Sequence, residues 1–201
     1  MNDNEIQWDK LLGIKTTGRD DSNADQYRFP YEPTPYSVLE RLANSGYIRK
    51  KNQLIDYGCG KGRVGLFLSY QTRCRSIGVE YDERIYKDAA ANGEKGVSGS
   101  RTVFLMENAE NYKVPPEADR MFFFNPFSVE ILRHVIARII ESYYEENREI
   151  MLFFYYPSDE YVSYLMTVDE LEFMDEISCA DLFDGNDPRE RIMIFKTASM
   201  G

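Results

Sequence analysis

Histidine is nearly missing from this chain of 201 residues: His134 is its single imidazole. It sits in an apolar stretch of helical spacing, where a packed or surface side chain is the expected reading, so an imidazole base has no ready candidate. Cysteine is scarce as well. Cys59, Cys74 and Cys179 are scattered and form no C-x-x-C pair, which argues against a metal site and suits a reduced, cytoplasmic setting. No apolar run approaches the roughly 20 residues needed to span a bilayer. The first residues, Met1-Asn2-Asp3-Asn4-Glu5, are polar and acidic, so no secretory signal is expected. Cationic residues are the minority, 24 Lys and Arg against 34 Asp and Glu, for a net charge of −10. The one run of consecutive basic residues is Arg49-Lys50-Lys51. Such a surface repels a phosphate backbone, which disfavours nucleic acid as a partner. A cationic or amine-bearing partner, protein or small molecule, fits better.

What is present suits a globular chain with one proper core: 43% hydrophobic residues and 14% aromatics. Residues 1 to about 35 show little periodicity beyond a short helix at Glu5–Leu12. Gly13, Gly18 and Asp20-Asp21-Ser22-Asn23 are turn material. An aromatic–proline segment follows, with Tyr27, Phe29-Pro30-Tyr31, Pro33-Thr34-Pro35 and Tyr36. Thr34 reads as a helix cap with Pro35 in the first turn, and Val38, Leu39 and Leu42 mark that helix's apolar face. Residues 1–50 thus read as an extension or lid with a helix, and 51–201 as the core. Beyond position 50, strands are expected at 54–57, 76–80, 102–106, 120–124, 150–155, 172–179 and 190–196. Helices are expected at 63–70, 83–92, 128–146 and 158–166, with Ser128 as the cap of the third. This alternation predicts an α/β fold with a mostly parallel sheet and helices on both faces. Asp181 to Arg189, containing Gly185-Asn186-Asp187-Pro188, reads as a loop joining two antiparallel C-terminal strands.

The most informative stretch runs from Leu54 to Gly65. The apolar run Leu54-Ile55-Asp56-Tyr57 reads as a buried strand, Gly58-x-Gly60-x-Gly62 follows, and Val64-Gly65-Leu66-Phe67-Leu68 opens a helix. Glycines allow a tight turn and close ligand approach, and the helix start offers unpaired N–H groups. A dinucleotide fingerprint would place its third glycine at position 63, which is Arg63. The stretch instead resembles motif I of the class I S-adenosylmethionine-dependent methyltransferases. The resemblance continues through Ser76-Ile77-Gly78-Val79-Glu80, Asn108-Ala109 and Asn125-Pro126-Phe127, and so covers roughly residues 50 to 156. It implies a Rossmann-like seven-stranded sheet with a C-terminal antiparallel hairpin, S-adenosylmethionine as cofactor and methyl transfer as activity.

The resemblance also implies roles. Asp56 would orient the loop and hold the cofactor's ammonium group, or merely cap the turn. Gly58 and Gly60 would approach the methionyl part. Glu80, an acid ending an apolar strand, would bind the ribose diol, since an unpartnered buried carboxylate is costly. Tyr81 would lie against adenine, whose edge Asn108 and the Ala109 N–H would read. Asp82 is a candidate cap for the helix starting near Glu83. Asn125 and Phe127 would meet the reacting atoms and wall the acceptor, an amine by analogy with a longer Asn-Pro-Pro motif, or would form only a strand-end turn. Lys61 and Arg63 read as solvent-facing helix starts, with Arg63 also a candidate partner of the cofactor carboxylate. Cys59 reads as a small residue in the turn. The segment Tyr27–Tyr36 would cover the cofactor, and Tyr31, Pro33, Thr34 and Pro35 are similar to a segment preceding motif I in some protein-lysine methyltransferases. Two rivals stand beside this reading: a nicotinamide-dependent oxidoreductase, and a non-catalytic cofactor-binding module.

Overall fold

The computed structural model describes residues 3–20, 27, 29, 31–185 and 187–198. The turn expected at Asp21-Ser22-Asn23, Pro30 and Asn186 of the last loop lie outside them.

The apolar runs pair as seven strands, β1 (Gln53–Tyr57), β2 (Arg75–Glu80), β3 (Thr102–Met106), β4 (Arg120–Phe123), β5 (Met151–Tyr155), β6 (Leu171–Ser178) and β7 (Arg191–Thr197). Helices are α1 (Asp3–Leu12), α2 (Tyr36–Asn44), α3 (Arg63–Thr72), α4 (Glu83–Lys95), α5 (Val129–Glu145) and α6 (Asp159–Leu165). Every element read from the sequence forms, with ends displaced by at most three residues. The sheet order is β3-β2-β1-β4-β5-β7-β6. Strands β1 to β5 pair in parallel, and β7 runs antiparallel between β5 and β6. The chain leaves β1 toward β2 and β3, then returns across it to β4. The carboxyl ends of β1 and β4 therefore flank the switch point, where open α/β sheets place ligands.

The core has two layers because side chains alternate along each strand. Ile55, Tyr57, Met121, Phe123, Leu152 and Phe154 face α5 and its residues Leu132, Val135, Ile136 and Ile139. Leu54, Phe122, Phe153 and Tyr155 face α2 and α3. Both faces are covered, so the central strands read as continuous apolar runs. Tyr57, Phe123 and Phe154 are register partners on adjacent strands and stack with centroids 5.0 and 4.6 Å apart.

Capping follows the sequence in part. Asp82 caps α4 by accepting from the N–H groups of Arg84 and Ile85, and Ser158 caps α6 through Tyr161. Thr34 caps nothing: Pro35 is the N-cap of α2, and Thr34 instead gives its carbonyl to Arg63. Ser128 holds the N-cap position of α5, but its hydroxyl makes no capping bond.

Arg63 corrects the sequence reading most. It is 2% exposed, because the N-terminal extension folds over it. Its guanidinium pairs with Glu5, donates to Thr16 Oγ1 at 2.7 Å and the Thr34 carbonyl at 3.1 Å, and lies 3.8 Å from Asp9 Oδ1. Its face stacks on the Tyr36 ring, 4.2 Å away. Lys61 is half-buried and lies over the Tyr31 ring. Trp8 of α1 meets Phe67 of α3 edge-on at 4.9 Å, completing the contact between extension and core.

Removing one partner from a buried ion cluster leaves the others uncompensated, at a cost of about 3–5 kcal/mol. Arg63→Met is expected to lower the urea midpoint accordingly. Adding Glu5→Gln and Asp9→Asn to it should recover part of the loss, which equilibrium urea unfolding will measure.

Candidate functional site

The glycine turn after β1 has a left-handed backbone, with φ of +69° at Gly58 and +54° at Gly60. Both positions are also crowded. A Cβ on Gly58 would fall 2.4 Å from the Pro126 Cβ, and one on Gly60 would fall 2.2 Å from the Tyr31 ring. Residues with side chains are thus excluded by conformation and by space. The turn is tied to β2: the N–H groups of Gly58 and Cys59 donate to the Val79 carbonyl at 2.9 and 3.1 Å. Cys59 packs against Gly78, and burial raises its thiol pKa well above the ordinary value, so a small inert residue is what the turn contains.

A cavity of about 840 Å³ opens at the switch point. Asp56, Gly58, Gly60, Glu80, Tyr81, Asn108, Ala109 and Phe127 all line it, as the sequence had placed them together. Asp56 is the unusual member. It is 3% exposed, and its Oδ2 is buried without a hydrogen-bond partner. Burial, and then the nearby Glu80 carboxylate, push its pKa up to about 8. A buried acceptor at a cavity wall lacks a donor, and a ligand ammonium group is the donor that would also ionise it.

Glu80 is differently held. Its Oε2 accepts from the Gly60 N–H at 2.9 Å, and its Oε1 accepts from those of Tyr81 and Asp82 at 2.9 and 3.0 Å. Burial raises its pKa, and these three bonds oppose the rise. Oε1 is therefore committed to its own turn, and the remaining acceptor capacity lies at Oε2. Tyr81 is exposed at 57%. Asn108 turns its amide toward Glu110, accepting from that residue's N–H and donating to its carboxylate.

Asn125 departs from expectation. It is not among the cavity-lining residues, whereas Phe124, Pro126 and Phe127 are. Its Nδ2 donates to the Tyr156 carbonyl, and its Oδ1 accepts from the Ser158 N–H at 3.2 Å. Its side chain thus faces the end of β5 and not the cleft. The residue itself has φ of +40°. His134 is a surface residue paired with Glu110 at 2.7 Å.

Several lining residues were not singled out from the sequence. Glu107 and Phe124 directly follow β3 and β4, and their position at strand carboxyl ends was the available signal. Glu32 lines the cavity beside Phe29 and Tyr31 of the aromatic–proline segment. The described residues Tyr27, Phe29 and Tyr31 of that segment are held at two sides of the cleft. The Phe29 N–H donates to the Pro126 carbonyl at 3.3 Å, and the Ser128 N–H donates to the Tyr27 carbonyl at 2.8 Å. At the other end Tyr31 forms a bridge with Asp20 and donates from its hydroxyl to the Thr16 carbonyl at 2.6 Å.

Comparison with known proteins agrees with this geometry. No family model matches the chain. A protein-lysine N-methyltransferase from Saccharolobus islandicus (strain REY15A) is 32% identical over 76 residues. That match takes in 37% of this chain and 47% of the relative, so the chain spans about half the length of that protein. Among solved structures, an RNA methyltransferase from Salinibacter ruber in complex with S-adenosyl-L-homocysteine superposes with a TM-score of 0.51 and 16% identity, covering 83% of this chain and 92% of that one. Magnesium protoporphyrin IX methyltransferase from Synechocystis PCC 6803, with bound S-adenosylmethionine, gives 0.58 at 14% identity, covering 81% of this chain and 77% of that one. The names of the three give different acceptors, and the two solved structures share this chain's architecture. With its sheet order and its cleft at the switch point, the chain has the Rossmann-like fold of the class I S-adenosylmethionine-dependent methyltransferases.

Proposed function

We propose that the chain is an S-adenosylmethionine-dependent methyltransferase acting on an amine of a protein or small molecule. The observation that carries this reading is the unpartnered Asp56 oxygen in a cavity that also holds the glycine turn and Glu80. Asp56 would take the ammonium group of the methionyl part, and Gly58 and Gly60 would admit its backbone-hugging approach. Glu80 Oε2 would accept from the ribose, Tyr81 would cover one face of adenine, and Asn108 with the Ala109 N–H would meet its edge. When bound, S-adenosylmethionine supplies a methyl group already activated by its sulfonium. The chain's own work is then to align the acceptor nitrogen with the methyl group and exclude water, after the ammonium form has passed its proton to a lining carboxylate or to solvent.

The lining supports a cationic acceptor. Six carboxylates, Asp20, Glu32, Glu80, Asp82, Glu83 and Glu107, and the acid Asp56 line the cavity with three cations, Arg63, Arg84 and Lys87. Arg84 is paired with Asp20, Lys87 with Glu83, and Arg63 with Glu5 outside the cavity. Such a mouth draws an ammonium group in and repels phosphate. Phe29, Tyr31, Phe124 and Phe127 add aromatic surface, on which a cation also binds favourably. The name of the protein-lysine relative points the same way. Residues 1–50 serve in this reading as the cover of the cleft. The buried thiols of Cys59, Cys74 and Cys179 suit a reducing cytoplasm.

Calorimetry with S-adenosylhomocysteine and NAD, followed by labelled methyl transfer into cell extract, tests the proposal. Binding of the first and label in protein or small amines are expected. Binding of NAD alone, or label confined to nucleic acid, would overturn it. Glu80→Ala should weaken S-adenosylhomocysteine binding about tenfold or more with the fold retained, since a bond to a charged group is worth about 1.5–3 kcal/mol.

Asp56 generates a further pair of expectations. Its folded pKa lies near 8, above an unfolded value of about 4. Between these pH values the unliganded native state holds a proton that the unfolded chain has lost, so this group's contribution to stability falls as pH rises. Asp56→Asn should therefore gain stability relative to the parent toward pH 8, by about 1–3 kcal/mol, as thermal unfolding across pH will show. Binding an ammonium group requires the ionised carboxylate. Parental affinity for S-adenosylhomocysteine should thus rise about tenfold per pH unit up to pH ~8, while methylthioadenosine, which lacks the amino acid, should bind independently of pH.

A further inference from the structure

Two residues at the carboxyl ends of neighbouring parallel strands have left-handed backbones: Asn125 after β4, with φ of +40°, and Tyr156 after β5, with φ of +49°. The regular pairing of β4 with β5 runs as far as Phe123 with Phe154. Beyond it the backbone of Asn125 turns away, and its side chain takes over. The amide of Asn125 presents an N–H donor and a carbonyl acceptor, the same pair that a peptide group offers. It donates to the Tyr156 carbonyl and accepts from the Ser158 N–H. The side chain thus adds a rung to the sheet where the main chain can no longer supply one. Asparagine suits the position doubly, because it also tolerates a positive φ better than most residues.

The residues that follow are set by that rung. The Pro126 ring presses on Gly58, where a Cβ would come within 2.4 Å of it. The Pro126 carbonyl and the Ser128 N–H bond the backbone of Phe29 and Tyr27. One short turn thus braces the glycine loop from one side and anchors Tyr27 and Phe29 from the other.

We propose that Asn125 is a positioning residue that holds the Pro126–Ser128 turn, and that through this turn it controls how firmly Tyr27 and Phe29 are held at the cleft and how long a ligand stays in it. This assigns Asn125 no contact with the reacting atoms. The ligand half of the proposal rests on the S-adenosylmethionine reading, and the anchoring half does not.

The test compares Asn125→Ala, Asn125→Gly and Asn125→Asp with the parent by amide hydrogen exchange on unliganded protein and by the dissociation rate of S-adenosylhomocysteine. In Asn125→Ala, exchange at Phe29 and Ser128 should accelerate about tenfold, the equivalent of one hydrogen bond of ~1.4 kcal/mol. Exchange at Ile194, in β7 between β5 and β6, should stay as in the parent. Dissociation should accelerate by a similar factor. Glycine keeps the backbone freedom and lacks the amide, so it should behave as alanine does. Aspartate keeps the acceptor toward Ser158 and should be intermediate; it also decides the matter if alanine and glycine fail to fold. Parental exchange at Phe29 and Ser128 in the alanine or aspartate variant would overturn the proposal, as would a glycine variant indistinguishable from the parent. A lower methyl-transfer rate with unchanged exchange and dissociation would restore direct contact with the reacting atoms. If the parent does not bind S-adenosylhomocysteine, the cofactor reading fails, and the exchange data still decide the anchoring proposal.

Discussion

A guanidinium taken out of water must find anions and acceptors, and Arg63 finds them far upstream. Glu5 lies 58 residues away in sequence, Thr16 lies 47, and Thr34 lies 29. Because Arg63 is the first residue of α3, immediately after the glycine turn, this demand folds the N-terminal extension onto the cleft and not elsewhere on the surface. The rest follows by contact. Asp9 receives the backbone N–H of Thr16 and the hydroxyl of Tyr36. The Thr16 carbonyl then receives the Tyr31 hydroxyl, and the Tyr31 ring closes over Gly60. A purely apolar residue at position 63 would leave α1 held to the core by Trp8 against Phe67, without the charged partner that fixes Glu5 and Asp9 above the glycine turn. Buried ionic groups often contribute more to such specification than to net stability.

The cleft itself is organised around two acids of opposite disposition. Glu80 is surrounded by backbone donors and serves as a strut between β2 and the glycine turn. Asp56, within its electrostatic reach, is starved of donors and held toward its neutral form. Each depends on the other: the charge on Glu80 is one reason that Asp56 resists ionising. Neighbouring carboxylates that differ this way are a common means of keeping one as scaffold and the other responsive to ligand. The turn Asn125–Ser128 completes the frame from the opposite lip, so the cleft is bounded by side chains drawn from β1, β2, β3, β4 and the extension.

Much of this was readable in the residues. Strands such as Met151-Leu152-Phe153-Phe154-Tyr155 are buried on both faces, so their sequence leaves no alternative to a central position. Glu80 stood out because an acid ending an apolar run needs a reason, and Asp56 because it lies two residues before the glycine turn. What escaped reading shares one cause: the partner lies elsewhere in the chain. Arg63 looks like any charged helix start until α1 is placed above it. Asn125 looks poised toward the cleft until Tyr156 and Ser158 arrive beside it. Thr34 has the chemistry of a cap, yet its carbonyl is claimed by Arg63 and Pro35 takes its position. Local propensity is a weak guide wherever a distant charged group competes for the same backbone atoms.

The packing of α1 on α3 has one more consequence. Trp8 is the only tryptophan in the chain, and it lies against Phe67, with Tyr36 and Tyr70 also within ring contact. All indole emission therefore originates at the seam between extension and core. An indole lifted from that seam into water emits at longer wavelength, so the protein carries an optical gauge of whether its own N-terminal helix is seated, readable in solution without attaching a dye.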